Sequence, residues 1–340
     1  MANDERASGE YRIRLRPRTF IPLIFFLALI VHLLLPRLAM LDQSVVVVLR
    51  SMSPVAIAIA VCAQALSYLA NGAVLRSIVA SSGERLSLGR TTAIVMAAST
   101  ICLVAGGIVG YGAAVYQWSR NSGTSRQTSA VAAWLPSVFD TAALIVFALL
   151  SAAALLEQGR LSPSVTTGLL VIMSLLVGIV AASFYALARS QKFVTFLRWL
   201  RKAGPVRRRI SEADVERIPA RLMKISTALR ARRGLEAAAA ALLNLTFDMA
   251  TLALVFIAAG NPIPLLTLVA GYGVPILLGR SSFLPGGIAV VEIGMTALYV
   301  GLGVPSHVAI VVVLTYRLIS FWIPTLAGIP VAAVLQVRQS

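Results

Sequence analysis

Six stretches of this chain, residues 19–36, 54–79, 129–155, 163–188, 235–259 and 307–335, stay apolar over the length needed to cross a bilayer, about 20 residues of helix. Inside lipid every backbone amide must find its partner within the protein. Such runs therefore fold as spanning helices, and irregular backbone is confined to places enclosed by other helices. With 58% hydrophobic and 13% charged residues and a mean hydropathy of +0.86, the chain is too apolar for a soluble domain and reads as an all-α polytopic membrane protein. The segment Thr19 to Leu35 follows an arginine-rich tail that also carries acids, with no small-x-small cleavage site after it, and is expected to be an uncleaved first span. Cys62 and Cys102 lie inside apolar runs and form neither a disulfide framework nor a metal motif.

Two further regions, 90–118 and 264–303, are apolar but interrupted by Gly106-Gly107 and Gly286-Gly287. As one helix, residues 90–118 would run about 43 Å, too long for a hydrocarbon core of about 30 Å. The positive-inside rule gives a second reason to break it. The tail 1–18 has five arginines, and the polar segment 189–233 has fourteen Lys/Arg against three acids, so both are expected in the cytoplasm. Counting crossings from the tail, the basic loop reaches that side only if 90–118 crosses an even number of times. Each interrupted region is thus expected to be a re-entrant hairpin, the first opening to the cytoplasm and the second to the outside. The net charge of +17 is then explained by topology and anionic lipid, and no nucleic acid is needed.

A shift of 180 residues places Gly106-Gly107-Ile108 on Gly286-Gly287-Ile288, Gly123 on Gly303 and Val131 on Val311, with Gln64 landing on Asn244. Together with the crossing parity this predicts an inverted-topology repeat, a common transporter device, of about six full spans plus the two hairpins. The expected organisation is a cytoplasmic tail at 1–18, a first transmembrane half at 19–156 and a linking span at 157–188. A basic cytoplasmic loop follows at 189–234, then a second half at 235–336 that repeats 55–156 inverted. Within the loop, Val215, Ile218, Leu222, Ile225 and Leu229 recur at helical spacing, with Arg217, Arg221, Lys224 and Arg230 off that stripe. This is an amphipathic helix, resting on anionic inner-leaflet lipid or docked on the bundle.

The second half carries sharper signals. PGGIAVVE at 285–292, Gly303-Val304-Pro305, YRLISFWIP at 316–324 and Gly328 resemble the lysylphosphatidylglycerol synthase transmembrane family, the flippase-like half of aminoacyl-phosphatidylglycerol synthases. The resemblance implies a bacterial inner-membrane protein handling an envelope lipid, here without the soluble aminoacyl-transferase domain of the synthases. It also implies acidic and arginine residues after the first-half glycine motif. In the matching stretch LPSVFD only Asp140 remains.

Several intramembrane polar residues are candidates for the chemistry. Arg280, Ser281 and Ser282 precede Gly286 and Gly287, where a helix is expected to start deep in the membrane. Helix N-termini bind phosphate, and arginine matches it with a planar fork, so these residues form a candidate lipid-phosphate cradle. The plainer alternative is that Arg280 pairs with a carboxylate. Glu292, eleven residues before Gly303, and Arg317, eleven after Ser306, both lie about 16 Å below one turn. They can pair, structurally or as a gate or headgroup site. Asp248 and Asn244 share a helix face, and Asp140 is placed similarly in its own helix. They are candidates for proton coupling, for binding a cationic headgroup, or for plain helix–helix contact. His32 and His307 read as interfacial. Neither a metal nor a cofactor site is expected.

The expected function is translocation of an anionic, aminoacylated, polyprenyl or hopanoid-type lipid. The alternatives are a membrane-embedded lipid-modifying enzyme and a non-transporting subunit of an envelope-lipid pathway. The expected partners are the lipid itself, a second copy of the chain or a lipid-modifying enzyme. Both termini are placed in the cytoplasm.

Overall fold

The computed structural model describes residues 43–104, 107–157, 159, 163–188, 232–281 and 285–337. The tail, the span 19–36, Gly106, Ser282, His32 and the amphipathic helix of the basic loop lie outside them. The described residues are helical, without strands. Helix α1 is Gln43–Ser51, α2 Pro54–Ser81, α3 Leu88–Val104, α4 Gly107–Asn121, α5 Arg126–Glu157 and α6 Pro163–Ala188. After the basic segment come α7 Arg232–Ala258 and α8 Leu265–Ser281, a 3-10 turn at Pro285–Gly287, and α9 Val290–Gly301. Helix α10, Ser306–Arg317, continues through a π-helical turn at Leu318–Trp322 into α11, Ile323–Val337. Among the described residues four helices are long and apolar enough to cross a membrane: Pro54–Ser81, Arg126–Glu157, Arg232–Ala258 and Ser306–Gln336. The short helix α1, which has no counterpart in the sequence reading, packs on α10.

Each Gly-Gly region folds as two helices rather than one. Helix α3 packs back on α4, and α8 on α9. At the second break Gly286 and Gly287 both have φ +65°, and Ala289 has φ +69°. Left-handed backbone cannot continue a right-handed helix, and only glycine adopts it without penalty. The glycines are also needed for space. A Cβ on Gly287 would approach the Gly279 backbone to 2.8 Å, and one on Gly286 would strike the Phe321 ring.

Helix α2 lies along α7 in the largest helix–helix contact among the described residues. The contact is antiparallel: Ser53 N–H donates to Ala258 O at 2.9 Å, Thr251 Oγ1 to Ala60 O at 3.4 Å, and Ser67 Oγ to Asn244 Oδ1 at 2.7 Å. Around this pair the halves exchange arms. Helix α8 of the second half packs on α5 of the first, and α3 of the first packs on α11 of the second. Small residues allow both crossings, Gly273 against the Phe147 carbonyl and Gly328 against Thr100 and the Met96 carbonyl.

Turns recur between the halves. Gly123 N–H bonds Arg120 O and Thr124 N–H bonds Ser119 O, while Gly303 N–H bonds Val300 O and Val304 N–H bonds Tyr299 O. These are the paired bonds of a Schellman cap at a separation of 180. The gapless match needs one adjustment. Gly83 and Gly260 close the helices before α3 and α8 with the same i to i−3 bond, and they are 177 apart. Helix α3 ends two residues before Gly106, whereas α8 ends five residues before Gly286, so three more residues separate the helix end from the glycine pair at the second break. At a separation of 177 Asn244 falls on Ser67, whereas at 180 it falls on Gln64.

Candidate functional site at the broken hairpin

Arg317 closes the break. It is 6% exposed. Its Nε donates to Glu292 Oε1 at 2.8 Å, and its Nη2 donates to Gly286 O at 2.9 Å. The guanidinium also lies 4.5 Å over the Phe321 ring. The equal depths of Glu292 and Arg317 allow this meeting, but the bond to Gly286 has a separate cause. A break in a buried helix orphans carbonyls, and in lipid they need a donor from the protein. The π turn begins at the residue after Arg317 and carries Phe321 to the face where the ring covers both the guanidinium and Gly286.

The helix start differs from expectation. Helix α9 begins at Val290 rather than at Gly287, because the positive-φ residues end only at Ala289. Its first turn contains Glu292. The partial positive charge at this N-terminus therefore already faces a carboxylate of the chain itself. Ser281 Oγ bonds back to Leu277 O at 2.8 Å, so its hydroxyl is spent on its own helix. Arg280 lies in the last turn of α8 with an exposed side chain. Among the described residues it makes no ion pair. Its charge acts on Asp140, Tyr111 and Cys102, which come from α5, α4 and α3, and α3 also touches the 285–287 turn. Arg280 thus sits where the inner ends of the two hairpins converge.

A second cluster crosses the middle of the bundle. Asp248 Oδ2 accepts from Tyr272 at 2.7 Å and from Tyr316 at 2.6 Å, and Gln64 lies beside the same carboxylate. One turn earlier Asn244 holds Ser67 and reaches the Asp140 carboxylate on α5. Asp140 is 6% exposed, and its Oδ1 has no hydrogen-bond partner among the described residues. Glu292, Arg317, Gly286 and Gly287 thus share one cluster. Asp248, Asn244 and Asp140 form a polar line toward Arg280. The two are joined by the adjacent residues Tyr316 and Arg317. Tyr272, Tyr316 and Gln64 were missed as site residues, since a tyrosine in an apolar run has no spacing that separates ligand from core. The only hint was Tyr316 standing directly before Arg317.

The family model described as the lysylphosphatidylglycerol synthase TM region matches residues 20–328. The chain belongs to that family. A UPF0104 membrane protein of Pyrococcus horikoshii is 38% identical over 74 residues, covering 22% of this chain and 22% of that protein. For a lysylphosphatidylglycerol synthase transmembrane-region protein, a multi-pass helical architecture and a setting among lipids follow directly.

Proposed function

We propose that this chain translocates a phosphate-bearing envelope lipid across the bacterial inner membrane, with both termini in the cytoplasm. The observation that carries the reading is Arg280, an accessible guanidinium at the inner end of a broken helix, with a buried carboxyl group, Asp140, in electrostatic reach. Helix α8, at 17 residues, runs about 25 Å. Arg280 therefore lies far below the membrane surface from which α8 starts. A charge at such depth needs a reason, and a headgroup phosphate supplies one in the bidentate form that arginine favours. The antiparallel α2–α7 pair, the recurring turn bonds and the exchanged arms support an inverted repeat. In that reading the two hairpins open to opposite faces, as alternating access requires. The basic loop rests on anionic inner-leaflet lipid.

The test is headgroup translocation in proteoliposomes of labelled phosphatidylglycerol. Arg280→Ala is expected to abolish transport, and Arg280→Lys, which keeps the charge but loses the fork, to slow it, both with wild-type melting. Wild-type transport by Arg280→Ala removes the reading.

A further inference from the structure

Asp248 is a half-buried carboxylate without a counterion of its own. Arg317 acts on it electrostatically, but that guanidinium is bound to Glu292 and to the Gly286 carbonyl. Around the clasp there are thus two carboxylates for one guanidinium. From α2, Gln64 and Tyr68 face Asp248, and from α8 Tyr272 does. From α10 come Tyr316 and Arg317. Asp140 of α5 lies one step further, through Asn244, with Arg280 beyond it. None of these gives Asp248 a cation to itself. An excess negative charge in a membrane interior is costly, and binding a cation removes that cost.

The hydrogen bonds say which cation. Both tyrosine hydroxyls take Oδ2, so Oδ1 is the oxygen they leave. Gln64 is 5% exposed, lies beside the carboxylate, and has an Oε1 that is buried without a partner among the described residues. An amide turned about its last bond presents an acceptor where it had presented a donor. Gln64 can therefore serve Asp248 in both states, donating to the carboxylate and accepting from the acid. A larger cation would need several oxygen ligands, and no cluster of three or more metal-binding side chains occurs among the described residues.

We infer that Asp248 is a proton-binding site whose occupancy works the Arg317 clasp on the broken hairpin. A proton from the aqueous side forms an O–H bond at Oδ1, the carboxylate becomes neutral, and the new O–H donates to Gln64 Oε1. The tyrosine bonds to Oδ2 then lose their charge-assisted character and about half their strength. Tyr316 is released first, because it sits at the entrance to the π turn, where the helix can slip. Arg317 is the next residue, so its grip on Gly286 O loosens with it. Together with the proposed translocation, on which this purpose rests, it means that the lipid phosphate and a proton move as a pair.

The experiment is pH-difference infrared spectroscopy of the full chain in phosphatidylglycerol vesicles, with hydrogen–deuterium exchange of residues 286–290 in the same preparation. On acidification the wild type is expected to gain the carbonyl stretch of a protonated carboxyl group. Asp248→Asn is expected to lose it, and Gln64→Leu to move it to higher frequency. Amide exchange at 286–290, corrected for the intrinsic effect of pH, is expected to rise severalfold in acid in the wild type and not in Asp248→Asn. Tyr316→Phe is expected to exchange fast at both pH values. If Asp248→Asn does not fold, Asp248→Glu serves instead and is expected to shift the band. A band untouched by these Asp248 substitutions overturns the assignment, as does an exchange rate indifferent to pH. A band and clasp that respond in a protein moving no lipid keep the proton site and remove the translocator. Transport without either response does the reverse.

Discussion

Ser67 and Asn244, 177 residues apart, hydrogen-bond to each other at 2.7 Å in the middle of two antiparallel helices. That separation is also the one between the turn glycines Gly83 and Gly260. Each residue thus faces the one that a shift of that length places on it, as an inverted repeat would require. Further contacts, Ala60 with Thr251 and Ser53 with Ala258, follow at even steps toward one end of the helix pair.

If the halves are inverted, corresponding turns lie on opposite faces. Asn121 and Gly301 are exposed positions beside the matched turns at Gly123 and Gly303. In a background lacking Cys62 and Cys102, Asn121→Cys is expected to react with a membrane-impermeant maleimide only from the cytoplasmic side, and Gly301→Cys only from the outside. Labelling of both from one side removes the inversion.

The Glu292–Arg317 pair is expected to be structural as well as functional. Glu292→Gln leaves a buried guanidinium without its carboxylate, which costs about 3–5 kcal/mol. Arg317→Lys keeps the charge but cannot hold Glu292 and Gly286 O together in one plane, a loss of about 1–3 kcal/mol. The exchange Glu292→Arg with Arg317→Glu is expected to recover only part of the loss, because the bond to Gly286 O and the place over Phe321 are not exchanged. Thermal melting in detergent ranks the four proteins, and a silent Glu292→Gln contradicts the pair's role.

Ala289 has φ +69° without being glycine. Ala289→Gly is expected to relieve this strain and stabilise the protein by about 1 kcal/mol, while Ala289→Val destabilises it. Denaturation midpoints decide the sign.

The arm exchange predicts two sensitive glycines. Gly273→Ala would drive its methyl into the Phe147 backbone, and Gly328→Ala into Thr100 and the Met96 carbonyl. Each is expected to cost about 1–3 kcal/mol through overpacking. Gly301→Ala meets nothing within 4 Å and is expected to leave the melting temperature unchanged.

Hydropathy alone placed α2, α5, α6, α7 and the α10–α11 helix to within a few residues, because lipid leaves an apolar backbone no alternative to the helix. The two Gly-Gly pairs marked where helices had to stop, since a 29-residue run exceeds the bilayer. Equal depth made the meeting of Glu292 and Arg317 legible as well. Partner choice across helices was not legible. That Asp248 binds Tyr272 and Tyr316, that Arg317 also caps Gly286, and that Ser67 rather than Gln64 faces Asn244 depend on helix rotation and register. A three-residue difference in one break changes these by most of a turn. Hydrophobic runs specify that a helix spans, not which of its faces meets which neighbour, because every face of such a helix is apolar enough for lipid. Close packing at Gly273, Gly287 and Gly328 decided that, and with it which buried polar groups found each other.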